Sequence, residues 1–292
     1  MSVLGSNEVR PAQLSKPVLQ DEAFLADVKA GSRNDGHFRL WWLGQSGFLL
    51  AWKDSFILLD PYLSDSLTKK YAGTNQPHVR ITERVVDPSA LDFIDFTMSS
   101  HSHTDHQDPE TLCALLYANP RMSLLVPAAT VALCAEHIGV PMSRLNPIDE
   151  GLTLEMGAFA ITGVASAHEK LEYDDKGNCR FLGYLLRFGG WTIYHAGDTV
   201  DYPGLAEKLR KFSVDVALLP INGRGRGVPG NLNGTEAAQL AWRMGARLAI
   251  PCHYDMFEFN TADPSEFCLA AAACGQPCVI LPVGGRYESL RH

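Results

Sequence analysis

His101-Ser102-His103-Thr104-Asp105-His106 is the stretch on which the fold reading turns. Three imidazoles and one carboxylate fall within six residues, directly after the apolar run Ile94-Asp95-Phe96-Thr97-Met98. A lone histidine there would read as a solvated polar residue. Crowding these groups without a cation would waste their hydrogen-bonding capacity and set charged rings against each other. Imidazole and carboxylate donors without thiolate suit Zn, Mn or Fe. A compact turn at the end of a strand can aim His101 and His103 at one ion and Asp105 and His106 at a neighbour.

Three further positions share the same context. His168 follows Val164-Ala165-Ser166-Ala167, Asp198 follows Tyr194-His195-Ala196-Gly197, and His253 follows Ile250-Pro251-Cys252. Each is among the first residues beyond an apolar strand, so the side chains can converge at one sheet edge. Singly, His168 reads as a surface histidine, Asp198 as a helix cap and His253 as a loop residue. Beside the first motif they read as a set.

Around these positions the chain divides in two. Residues 1–36 are polar and mixed, with one short amphipathic helix expected over 18–29, and are taken as an N-terminal extension packing on the main body. Residues 37–292 form one domain. Runs at 39–43, 47–52 and 56–60 predict antiparallel strands, and 62–87 is irregular. A helix is expected over 109–117 with Pro109 in its first turn, then a strand at 123–126 and a helix at 128–138. A hairpin through Gly189-Gly190 joins strands at 181–188 and 191–195. The last third alternates: helices at 202–212, 235–244 and 264–273, strands at 214–220, 247–250 and 277–281. Leading strands with interleaved helices indicate an α/β (α+β) domain of two sheets with helices outside.

Composition narrows the partners. With 33 acidic against 25 basic residues the formal net charge is −8, and no Lys/Arg cluster stands out, so no nucleic-acid partner is expected. The hydrophobic fraction of 46% suits a buried core. No run of about 18 apolar residues and no signal-peptide pattern is visible, so a cytoplasmic protein without membrane association is expected. The seven cysteines form no CxxC pair, which argues against a disulfide framework or a thiolate zinc site. A homo-oligomer stays open, since the extension could pack on a neighbouring subunit.

The ordered set of H-x-H-x-D-H, His168, Asp198 and His253 resembles the metallo-β-lactamase superfamily. Within it, Trp41-Trp42-Leu43-Gly44, Tyr194-His195-Ala196-Gly197-Asp198, Val214-Asp215-Val216-Ala217-Leu218, Ile250-Pro251-Cys252-His253, Ala262-Asp263-Pro264 and Val283-Gly284-Gly285 resemble the L-ascorbate-6-phosphate lactonase branch. The resemblance implies a four-layer αββα sandwich and two divalent metal ions, Zn or Mn with Fe as a further candidate. It places His101, His103 and His168 on one ion, Asp105, His106 and His253 on the other, and Asp198 between them. It also implies a hydrolase in which a metal-bridging hydroxide attacks a lactone or ester of a small, sugar-acid-like and in some cases phosphorylated substrate.

Asp105, Asp198 and His195 are the candidate catalytic residues. Asp105 could orient the hydroxide. His195 and Tyr254 are candidates for protonating the leaving group by proximity in sequence, although His195 also reads as a partner orienting Asp198. For the substrate, the glycine-rich stretch 222–227 offers Asn222, Arg224 and Arg226 as an anion site, with Tyr254 beside it, and the polar insert 172–178 could overhang the site. The competing readings are a phosphodiesterase of the same fold, acting on a cyclic nucleotide or phospholipid, and a metal-binding protein without catalysis.

Overall fold

The computed structural model describes residues 14–31, 36–225 and 230–289. Its centre is a pair of mixed sheets. The first contains β1 (Phe38–Gly44), β2 (Gly47–Trp52), β3 (Ser55–Leu59), β4 (Phe96–Met98), β5 (Ser123–Pro127), β6 (Leu145–Ile148) and, at its edge, β13 (Arg286–Glu288), in the order β13-β1-β2-β3-β4-β5-β6. The second contains β7 (Thr153–Met156), β8 (Phe159–Ala165), β9 (Leu182–Phe188), β10 (Trp191–His195), β11 (Val216–Pro220) and β12 (Leu248–Cys252), in the order β12-β11-β10-β9-β8-β7. Each sheet is antiparallel through its leading strands and parallel through its later ones.

β1 and β2 are buried along their whole length, which is why they read as near-continuous apolar runs rather than alternating ones. Aromatic side chains lock the two sheets face to face. Phe38 meets Phe188 at 5.7 Å and Trp191 at 5.0 Å, and Trp52 meets Phe159 at 6.0 Å and Phe188 at 5.4 Å. The hairpin between β9 and β10 turns at Gly189 and Gly190 with φ of +51° and +81°, the pair of positive angles that a tight two-residue turn requires. A side chain at Gly189 would also collide with the Trp52 ring.

Helices cover both outer faces. α3 (Pro109–Ala118) and α4 (Val131–Ile138) lie on the first sheet, with Leu112, Cys134 and Ile138 packed against Leu124, Val126 and Leu145. α3 begins at Asp108, whose side chain accepts from Thr111 N, with Pro109 next. On the second sheet lie α5 (Leu205–Arg210), α6 (Gly234–Met244) and α7 (Ser265–Cys274). α6 opens with a reciprocal cap between Asn233 and Glu236. The expected layered α/β sandwich is what the structure shows.

Two expectations change. The strand expected at 277–281 is a single bridge between Cys278 and Ala249, because Pro277 and Pro282 deprive a longer pairing of backbone donors. The irregular stretch 62–87 contains a short helix, α2 (Ser66–Lys70), beside the site. The N-terminal helix, α1 (Asp21–Gly31), buries Phe24 and Val28 on β1; Phe24 meets the Trp41 ring edge-on at 6.5 Å, and Trp41 Nε1 donates to Asp27 at 2.8 Å. Ser15 N and Val18 N donate to the backbone carbonyls of Ile81 and Val283 at 2.8 and 2.9 Å. This packing predicts that Phe24→Ala lowers the stability of the whole protein by about 3–5 kcal/mol. A urea titration followed by tryptophan fluorescence measures it; an unchanged midpoint would show that α1 docks loosely.

Candidate metal centre

The loops that leave β4, β8, β10 and β12 at one rim of the sandwich carry the chemistry. His101, His103, Asp105 and His106 follow β4, His168 follows β8, Asp198 follows β10 and His253 follows β12. Gly197 makes the crossing before Asp198 feasible. Its φ is +58°, and a Cβ there would sit 2.6 Å from Ser100 Cβ and 2.8 Å from Leu182 O. Only glycine fits that approach.

The structure brings all seven side chains together. Their donor atoms form three overlapping groups: His101, His106 and Asp198; His103, His168 and Asp198; and Asp105, His106 and His253. Asp198 faces two ways. Its Oδ2 is 3.9 Å from both His101 Nε2 and His168 Nε2, whereas its Oδ1 is 3.2 Å from His106 Nε2 and 3.3 Å from His253 Nε2. Asp105 Oδ2 lies 3.7 Å from His106 Nε2 and 3.4 Å from His253 Nε2.

Behind this cluster lies a carboxylate that sequence reading passed over. Asp60, wholly buried after β3, accepts from Ser100 N at 2.7 Å, Ser100 Oγ at 2.6 Å, His106 Nδ1 at 2.7 Å and His195 Nε2 at 3.0 Å. Burial is the largest single influence on its pKa and pushes it up. The charges of His106 and His195 and their hydrogen bonds outweigh it, so Asp60 is held below the usual carboxylate range. Because a carboxylate only accepts, His106 carries a proton on Nδ1; burial opposes a second, but the Asp198, Asp105 and Asp60 carboxylates hold its pKa well above 6.5, so Nε2 is protonated toward Asp198 without a cation and would give that proton up to one. Ser100 Oγ gives its hydrogen to Asp60, so His101 Nδ1 donates to Ser100 Oγ at 3.0 Å and its Nε2 is left free. His168 donates from Nδ1 to Asn231 Oδ1 at 3.2 Å. Hydrogen bonds on the far ring nitrogen thus turn the Nε2 of three rings toward the cluster, as a metal ligand needs.

The donor set fits a cation on its own geometry. His101 Nε2, His106 Nε2 and Asp198 Oδ1 are buried with no hydrogen-bond partner among the described residues. Interior polar atoms are ordinarily paired, and a divalent ion among these atoms would satisfy all three.

Gln45 is a second residue that sequence reading missed. It sits in the β1–β2 turn at φ +49°. Its Nε2 donates to Asp105 Oδ2 at 2.8 Å, while its carbonyl oxygen accepts from His253 N at 2.8 Å and Trp42 Nε1 at 2.9 Å. It therefore holds Asp105 and His253 from behind. Asp60 and His253 also have left-handed backbones, at φ +41° and +64°, a costly conformation that surrounding contacts must enforce.

The cluster forms the floor of a cavity of about 310 Å³. Leu67, Tyr71, His78 and Phe259 line one wall; Asn222, Asn260, Lys70, Gln76 and His137 complete the rim. Several expected site residues lie elsewhere. His195 is buried against Asp60 behind His106 and does not line the cavity, which makes it an orienting group rather than a proton donor to substrate. Tyr254 is 1% exposed and packs on Trp42 at 4.7 Å, away from the cavity. Arg224 donates to Asn231 O and pairs with Glu236, so its charge is engaged outside the cavity. Arg226 lies outside the described residues. Asn222 does line the cavity, and it also accepts from Asn231 Nδ2, the amide that supports His168. The insert at 172–178 contributes nothing to the cavity lining. Cys252 points into the core, where burial pushes its thiol well up, so it is no nucleophile.

Fold and site together define a metallo-hydrolase. The family profile described as "Beta-lactamase superfamily domain" matches residues 39–253, and the chain belongs to the metallo-β-lactamase superfamily. Among curated proteins it is 25% identical over 260 residues to the "Probable L-ascorbate-6-phosphate lactonase UlaG" of Escherichia coli O127:H6, covering 79% of this chain and 73% of that protein. Among solved structures it resembles Igni18, described as a novel metallo hydrolase from Ignicoccus hospitalis, with a TM-score of 0.65, 18% identity, and coverage of 88% of this chain and 100% of that one. It also resembles CmlA, a diiron beta-hydroxylase from Streptomyces venezuelae, with a TM-score of 0.64, 17% identity, and coverage of 86% and 54%. No helix among the described residues is long and apolar enough to cross a membrane.

Two outcomes follow from this geometry. Removing the Gln45 amide frees Asp105, so Gln45→Ala is expected to weaken metal retention about 10–100-fold with an unchanged far-UV CD spectrum; competition against a chelator reads it, and equal retention would make the hydrogen bond incidental. In metal-free protein, burial works against a charged His253, but the Asp198 and Asp105 carboxylates prevail and lift its pKa to about 9, from 6.5. The resulting stability is complete below about 6.5 and lost as pH rises through about 9. The denaturant midpoint of chelator-treated protein should therefore fall across that window. A flat midpoint would contradict the charge balance of the empty cluster.

Proposed function

We propose that this protein is a dinuclear metal-dependent hydrolase that opens a lactone or related ester of a small sugar-acid-like substrate. The observation that carries the reading is the two-way division of Asp198. One oxygen serves His101 and His168, the other His106 and His253, so a single carboxylate could join two ions. His101, His103 and His168 would hold one, and Asp105, His106 and His253 the other. The all-nitrogen and oxygen donor set accepts Zn, Mn or Fe. Bound cations of this kind supply Lewis acidity and acidify a water from a pKa of about 15.7 toward 7.

The chain's own residues do the rest. Asp60 and Ser100 hold the His101 and His106 rings in the ligating tautomer. Asn231 does the same for His168, and Gln45 orients Asp105. The cavity walls confine the scissile group over the cluster, and Asn222 and Lys70 stand at the rim as polar contacts for substrate. Support for lactone as the substrate class comes from the resemblance to the protein named a probable lactonase; the cavity, at about 310 Å³, suits a small molecule.

The protein purified without added metal is expected to carry about two equivalents of Zn, Mn or Fe per chain by elemental analysis, most of it lost in Asp198→Ala. Phosphorylated sugar lactones head the activity screen, with phosphodiesters as the rival class. Absence of tightly bound metal, with no activity gained on adding any, would sink the proposal.

A further inference from the structure

We propose that His78 is the residue that carries a proton to the leaving oxygen, an assignment that rests on the hydrolase reading above. His195 and Tyr254 both lie off the cavity, so neither can reach a bound substrate. Among the described cavity-lining residues outside the seven-residue cluster, Lys70, Tyr71, His78 and His137 carry ionisable side chains. His137 is an exposed residue in the last turn of α4, and Lys70 is exposed at the end of α2, with its ammonium over the Tyr71 ring at 5.4 Å. Tyr71 lends its ring face to Lys70 and His78, and half-buried His78 is the one of these four fixed by three aromatic rings.

Its ring stacks on Tyr71 at 4.2 Å with 22° between planes, and meets Phe259 edge-on at 4.5 Å and Phe257 at 5.2 Å. Its carbonyl accepts from Thr68 Oγ1 at 2.7 Å, tying the segment to α2. The Gln76 carbonyl lies 3.2 Å from His78 Nδ1. A carbonyl can only accept, so Nδ1 carries the hydrogen and Nε2 is the lone-pair nitrogen. No other hydrogen bond engages that nitrogen among the described residues. The groups bearing on the ring are Lys70 at the end of α2, Tyr71 just past it, Asp105 across the cavity, and the rings of Phe257 and Phe259. Burial lowers its pKa below 6.5, so it rests neutral, as a proton acceptor must.

The step balances without a further reactant. A hydroxide oxygen first bonds to the substrate carbonyl carbon, and the hydroxyl proton of the tetrahedral carbon then passes to His78 Nε2. The bond from that carbon to the leaving oxygen then breaks with its electron pair on the oxygen. His78 Nε2–H delivers the proton there and returns to its neutral form. Acid–base help of this kind contributes roughly 10²–10⁴-fold, and matters most when the leaving group is a basic alkoxide.

The test uses His78→Phe, which keeps the aromatic wall and removes both nitrogens, with His78→Gln as a second variant should the first fold poorly. Metal-loaded wild type and variants are assayed on γ-butyrolactone, which leaves as an alkoxide, and on 4-nitrophenyl butyrate, whose phenoxide needs no proton. Metal content per chain is measured in parallel. The expected result is a fall of about 100-fold or more in kcat/KM on the lactone, a change of less than about threefold on the aryl ester, and unchanged metal content. Equal losses on both substrates would make His78 a wall residue only and overturn the role, as would unimpaired lactone opening. A wild type inert toward both substrates despite a full metal complement would take down the lactone and ester reading, and this role with it.

Discussion

The site depends on one buried carboxylate. Asp60 gathers four hydrogen bonds, from the backbone and hydroxyl of Ser100 and from the rings of His106 and His195. An interior carboxylate is costly unless its lone pairs are satisfied, and these donors satisfy it. In return it sets the orientation of two histidines directly and a third, His101, through Ser100. It also ties the strands together, since Asp60 follows β3, Ser100 follows β4 and His195 ends β10. A change at Asp60 would therefore disturb tautomers, loop positions and the join between sheets at once.

The residues of the cluster were legible in the sequence because their chemistry demands particular side chains in particular places. H-x-H-x-D-H is dense, and His168, Asp198 and His253 repeat one context, the residue just past an apolar strand. The supports were not legible. Asp60 stands before Pro61 and reads as an ordinary strand terminator; nothing local announces partners at 100, 106 and 195. Gln45 reads as a turn residue, and its partners Asp105 and His253 are distant in the chain. The same blindness produced the opposite error at Arg224. A guanidinium in a glycine-rich loop resembles an anion site, but Glu236 and the Asn231 carbonyl occupy it in three dimensions. The elements of the fold followed hydrophobic pattern and turn chemistry closely, except at the five-residue helix α2, too short to show a period, and where Pro277 and Pro282 bracket an apolar run that cannot pair as a strand.

Fold and chemistry separate cleanly here. A diiron beta-hydroxylase shares this scaffold, as does a protein described as a metallo hydrolase, so the sandwich by itself names no reaction. The chemistry of this chain is therefore read from the side chains at one rim and the wall above them. Three of the supporting and ligating residues, Gln45, Asp60 and His253, hold left-handed backbones. The cost of these conformations is borne where the site is assembled, a common location for strain in proteins with a precise local geometry.

The rim draws its ligands from loops after β4 of one sheet and after β8, β10 and β12 of the other. It is therefore also a checkpoint in time. During synthesis from the N-terminus, the dense motif emerges early, but a partial chain ending before β12 offers no His253 and no closed second sheet. An ion can meet its whole ligand set only when both sheets stand in register, so tight metal capture would report that the two sheets have docked.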